Sequence, residues 1–159
     1  MGERARSRDD QRPGLRSEPG FTLIELMVVV LIIGVLIAIA LPTFIGARDR
    51  AANRAAEEDV RTGLLAALTF YAEDGAYTNF DVPTATLAEP TLQWVTPGPP
   101  AIAEIDIEVA SGQDLLLVGK SKTGMYVCLA QEGSSPVTDM GKSAAFANVD
   151  TVAECTGGW

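Results

Sequence analysis

Histidine is absent from the 159 residues, and with it goes the side chain that most often serves as general base or metal ligand near neutral pH. Cysteine occurs twice, at Cys128 and Cys155, too few for a four-ligand zinc site without histidine. Cations are scarce: 12 Lys and Arg stand against 21 Asp and Glu, for a net charge of −9. Residues 1–20 hold five of those arginines, so the remainder carries seven cations against 17 acids. That balance, with no basic patch interleaved with aromatics, argues against a nucleic-acid surface.

Motifs of catalysis are missing as well. Gly119-Lys120-Ser121 and Gly141-Lys142-Ser143 lack the glycine that a phosphate loop needs five residues earlier, where Asp114 and Pro136 stand. No Gly-x-Ser-x-Gly elbow occurs, and no two carboxylates stand out as an acid and base pair. Glu104, Asp106 and Glu108 alternate along a strand-like run and read as its wet face, with a calcium site as the lesser alternative and no EF-hand loop to support it. No Asn-x-Ser/Thr acceptor is present. The chain is therefore expected to be neither an enzyme nor the holder of a cofactor or metal.

What is there is a long apolar run. Residues 21–41 contain a single charge, Glu25, and as a helix of about 1.5 Å per residue they extend roughly 31 Å, the thickness of a bilayer's hydrocarbon core. An unpaired carboxylate four residues inside such a run costs about 3 kcal/mol on insertion scales, so Glu25 either finds a partner or stays wet near the headgroups. Residues 1–20 are polar throughout, and the only suitable cleavage point lies before the apolar run, unlike a secretory signal that is cut after it.

Gly20, then Phe21-Thr22-Leu23-Ile24-Glu25, then an unbroken apolar stretch through Leu41, resembles the type IV prepilin family of pilins and type II secretion pseudopilins. The resemblance implies a prepilin peptidase that cuts between Gly20 and Phe21 and N-methylates the new Phe21 amine. It implies that Glu25 pairs with the Phe21 ammonium of a neighbouring subunit during assembly. Pro42 matches the family proline beside which the helix loosens in filaments. Some pseudopilins bind calcium in a C-terminal loop, and the family often has a disulfide-bounded C-terminal region.

Beyond Pro42 the helical pattern turns amphipathic, with Ala52, Ala56, Val60, Leu64, Leu68 and Tyr71 forming one stripe. Asp74-Gly75 signals the stop, which predicts one helix over about residues 21–73, bent near residues 39–42 by Pro42. Gly34 and Gly46 either permit close helix approach or are incidental. Residues 75–104, rich in Pro and Thr, read as an irregular connection packed down by Tyr77 and Trp94, with a ligand-stacking role for Trp94 as the alternative. Residues 104–109, 115–121 and 125–130 read as strands of an antiparallel meander, whose apolar face the helical stripe covers. Residues 131–159 form a tail with a short helix or strand near residues 143–149. If that part lies outside the cytoplasm, Cys128 and Cys155 pair and close a loop of about 28 residues, worth roughly 3 to 4 kcal/mol; otherwise they are two buried thiols.

The expectation is an α+β, pilin-like chain: leader 1–20, transmembrane and filament-core helix 21–42, and globular domain 43–159 with a C-terminal antiparallel sheet. The implied function is that of a structural subunit of a type IV pilus-like surface filament; the alternatives are a type II secretion pseudopilin and a minor tip or binding subunit. Implied partners are other pilin subunits, the prepilin peptidase, the assembly machinery of the inner membrane and membrane lipid before assembly, with no nucleic acid. The precursor would be a single-pass inner-membrane protein and the product an extracellular filament. Arg48, Arg50, Arg54 and Arg61 follow the apolar run, on the side that the positive-inside rule leaves poor in cations, so charge alone sets topology weakly and the N-in orientation rests on the resemblance.

Overall fold

A computed structural model describes residues 20–133 and 137–159; the leader expected over residues 1–20 lies, except for Gly20, outside them. The chain divides into two compact units, Met1–Leu41 and Pro42–Trp159, and helix α1, Leu23–Asp74, contributes to both. In the first unit α1 is apolar and bare. Its most apolar window has a mean hydropathy of 3.1 and none of it is buried. Leu26, Val30, Leu31 and Leu36 are each more than half exposed, a surface that water does not tolerate on a monomer.

The second unit is a three-layer arrangement. A short helix α2, Val82–Ala88, precedes strands β1 (Gln93–Val95), β2 (Glu104–Ser111), β3 (Asp114–Lys120), β4 (Tyr126–Gln131) and β5 (Thr138–Ser143), which form one sheet in chain order. From β2 to β5 every pairing is antiparallel. The expected all-antiparallel sheet is corrected at its edge: β1 runs parallel to β2, with Trp94 opposite Ile105. Pro97, Pro99 and Pro100 cannot donate to a ladder, so the intervening segment forms an open loop in place of a hairpin.

Two further corrections follow, one in the connection that had been read as irregular and one in the tail. Asp81 caps α2, accepting the Thr84 amide at 3.0 Å, and Pro83 sits in the first turn where its missing donor does no harm. Strand β5 was also missed, because Thr-Asp-Met-Gly-Lys-Ser carries no apolar alternation; it is held by its ladder to β4. The helix or strand expected near residues 143–149 is a single 3-10 turn, Phe146–Asn148.

On the inner face of the sheet, Ala56, Val60, Ala66 and Ala67 of α1 pack on Ile105, Ile107, Leu115, Leu117, Val127 and Leu129, with Tyr77, Phe80, Ala85 and Trp94 closing one end. The helical stripe is thus as expected in position, but its most buried members are small. Gly63 lies under the Trp94 ring and Leu117, and a Cβ built on Gly119 would stand 2.6 Å from Val60 Cγ2. The outer face is covered too: Leu116, Val118, Cys128 and Ala130 meet Val149 and Cys155 of the tail, with Phe146 and Val152 alongside. Every residue from 115 to 119 is therefore buried, which is why β3 reads Leu-Leu-Leu-Val-Gly without alternation.

Strict alternation also fails in β2. The register against β3 shifts between Ile107 and Val109, a bulge that turns Val109 to the outer face and Ala110 to the inner one. Gly75, with φ +75°, ends α1 where Asp74-Gly75 predicts, its amide donating to Tyr71 O at 2.8 Å.

Candidate functional site

The N-terminus of α1 is closed by its own residues. Thr22 Oγ1 accepts the Glu25 amide at 3.2 Å, while Glu25 Oε2 accepts from Thr22 Oγ1 at 3.2 Å and from the Thr22 amide at 3.4 Å. This is a reciprocal capping box, with Thr22 as N-cap and Glu25 as third helical residue. The negative side chain also sits where the helix dipole favours it. Glu25, read from the sequence as either finding a partner or staying wet, thus has local hydrogen-bond donors, and among the described residues no cation pairs with it. Thr-x-x-Glu ahead of an apolar run was a legible signal for this arrangement.

Gly20 and Phe21 precede the helix. Nothing lies within 4 Å of a Cβ built on Gly20, and Phe21 is 85% exposed, so the segment on which cleavage was predicted is open to a protease groove. Pro42 stands inside α1, which continues on both sides of it.

In the second unit Cys128 of β4 and Cys155 of the tail form a disulfide with Cα atoms 5.8 Å apart. Trp94 is buried, donates from Nε1 to Glu89 O at 3.0 Å and meets Phe80 edge-on at 5.8 Å. It packs the connection down, as the first of the two readings had it, and offers no free face for stacking a ligand.

Asp106 overturns the reading of the β2 acids as a uniformly wet face. It is fully buried on the outer side, where the segment of residues 96–103 folds over it. Its Oδ2 accepts from the Gly98 amide at 3.4 Å, the same amide that reaches Glu108 Oε2 at 3.2 Å, and Oδ1 has no hydrogen-bond partner among the described residues. Burial, reinforced by the hydrogen bond and charge of Glu108, pushes the Asp106 carboxyl up to about 8. Glu104 accepts the Ala101 amide at 2.7 Å, so all three acids hold the proline-rich segment by its amides.

Comparison with known proteins adds three findings. The family described as the prokaryotic N-terminal methylation motif matches residues 15–41. The chain is 31% identical over 137 residues to the type II secretion system core protein G of Escherichia coli strain K12, an alignment that covers 81% of this chain and 89% of that protein. It is 44% identical over 61 residues to the type IV major pilin protein of Myxococcus xanthus, covering 38% of this chain and 28% of that pilin. The chain thus spans about a quarter of the myxococcal pilin and most of the E. coli protein. No solved structure matches.

Proposed function

Because the chain belongs to the type IV pilin-like family and is a type IV pilin or pseudopilin, we propose that it is a structural subunit of a type IV pilus-like filament. It is made as a membrane-anchored precursor, cut between Gly20 and Phe21, and assembled through the bare apolar part of α1. The observation that carries this reading is that apolar surface, continuous from residue 21 to 41 and wholly unburied, next to a capped carboxylate that no cation among the described residues pairs with.

The physical logic of assembly follows. Withdrawing such a span from lipid into water would expose apolar area worth tens of kcal/mol at about 25 cal/mol per Å². Extraction must therefore deliver the helix directly among other such helices. Cleavage frees an ammonium at Phe21, and in a dry bundle the Glu25 carboxylate favours the single axial offset that meets a neighbour's ammonium. Pro42, unable to donate to the preceding turn, is where α1 bends or loosens in this process.

A second reading, a pseudopilin of a type II secretion system, is favoured by the alignment with core protein G over 89% of its length. Mass spectrometry of the chain's N-terminus in material sheared from the cell surface tests the first reading. Recovery of a species beginning at methylated Phe21 supports it. A species beginning at Met1, or a mature chain never found outside the envelope, overturns it, and the latter outcome favours the pseudopilin.

A further inference from the structure

Residues 96–103 read Thr-Pro-Gly-Pro-Pro-Ala-Ile-Ala, so the segment has few amides to give and no side chain that ionises. What fastens it is correspondingly little: the Gly98 amide on Asp106 and Glu108, the Ala101 amide on Glu104, and the Ala103 amide on Lys120 O at 3.3 Å. Its seat is strained, since Ala103 has φ +66°, a left-handed conformation that a residue with a Cβ rarely takes. The bulge leaves Glu108 as the extra residue of β2, and its side chain joins that of Asp106 at the one amide both reach.

Charge does not balance at this seat. Asp106 is fully buried, its Oδ1 has no hydrogen-bond partner among the described residues, and its Oδ2 shares one donor with a second carboxylate. An ionised carboxylate in such a place needs several donors or a cation. Strands β1 and β3 set Val95 and Val118 opposite Asp106. Lys120 of β3 keeps its ammonium over the Tyr126 ring, 4.7 Å from its centre, and the tail, which brings Val149 and Cys155 to this face, adds only the acids Asp150 and Glu154. Glu104 is engaged by Ala101, and among the described residues no three acids are placed to hold a metal ion. A proton is the cation that fits.

We propose that a proton shared by Asp106 and Glu108 latches residues 96–103 over β2, and that its loss to solvent lets this segment open by itself, so that the outer face of β2 is uncovered as pH rises. Once ionised, the two carboxylates repel across a single amide, Asp106 draws in water, and opening relieves the strain at Ala103. Burial, then Glu108, raises the Asp106 carboxyl from 3.8 to about 8. The closed segment therefore keeps a proton that the open one gives up between those limits, and closure weakens with rising pH until about 8 and is constant beyond it.

Hydrogen–deuterium exchange of the full chain in detergent micelles reads the latch, by mass spectrometry with fragmentation to single residues, from pH 5 to pH 9 and with labelling times scaled to the intrinsic rate. The Gly98, Ala101 and Ala103 amides should lose protection about tenfold per pH unit from pH 5 to pH 7 and level off by about pH 9, while staying far less protected than β3. Helix α2, whose cap Asp81 is held below the usual carboxylate range by Thr84, should show no such slope and serves as control. Asp106→Asn should make protection of the segment independent of pH. Glu108→Gln, at a half-buried position, removes the second charge and should move the levelling to lower pH; it decides the matter if the first variant does not fold. A flat profile in the native chain would overturn the inference, and so would protection equal to that of β3, because release would then need global unfolding. A slope that survives in both variants, or one that added calcium abolishes and a chelator restores, would also overturn it, the latter by putting a metal ion in the proton's place.

Discussion

Thr22 and Glu25 divide the tasks at the start of α1: the threonine hydroxyl accepts the Glu25 amide, and the carboxylate accepts in return from the Thr22 amide and hydroxyl. Neutral Glu25→Gln retains acceptor capacity for the capping box, so it should leave membrane insertion intact and impair filament assembly; wild-type yields of sheared fibre from that variant would refute the charge-pair role. Gly20→Ala has room in the free chain, so an uncleaved precursor on an immunoblot would locate the effect in the peptidase groove. Asp106 gives a pH prediction. Its ordinary value of 3.8 is raised to about 8 in the folded chain, so folding takes up a proton between those limits. The stability this group contributes is full below about pH 4 and is lost as pH rises through about 8. Asp106→Asn imitates the protonated form and should flatten that decline, which thermal melts from pH 5 to pH 9 would show; parallel curves for both proteins would contradict it.

Between helix and sheet, distance is set by what is small. Val60 of α1 meets Gly119 of β3, and Gly63 receives the edge of Trp94, so the two layers approach at positions where a side chain would hold them apart. Gly119→Ala places a methyl group 2.6 Å from Val60 Cγ2 in a core that has no slack. A loss of about 1 to 3 kcal/mol is expected, read as a lower urea midpoint with unchanged slope. The pairing of α1 with β2 to β4 was legible because the helix keeps a period of 3.6 and β2 alternates over residues 104–107 before its bulge, while β3 and β4 read as short continuous apolar runs. Helix α2 and strands β1 and β5 were not, although Asp81 followed by Pro83 is a helix-start signal that could have been read. For β5 no local signal exists, since its residues are strand only by virtue of their partner.

For the whole molecule, the tail makes the sheet a middle layer. From the disulfide at Cys155 it runs on to Trp159, whose Nε1 donates to Gly141 O at 2.8 Å and whose ring lies 4.9 Å from the Arg61 guanidinium. One strap thus joins the outer face, the β5 edge and the helix. Cys155→Ser should cost about 2 to 5 kcal/mol and expose Val149 and Val152, measured as a fall in denaturation midpoint that reducing agent reproduces in the native chain; an unchanged midpoint would mean that packing alone holds the tail. The sequence by itself determined the anchor and the helix that continues from it, because a run of 21 apolar residues with one acid has few physical resolutions and an amphipathic stripe declares its own face. Only the tertiary structure decided that Asp106 is buried, that Val109 turns outward, and that the second face of β3 is covered. Those outcomes depend on which distant segment folds over a strand, and no local pattern records that.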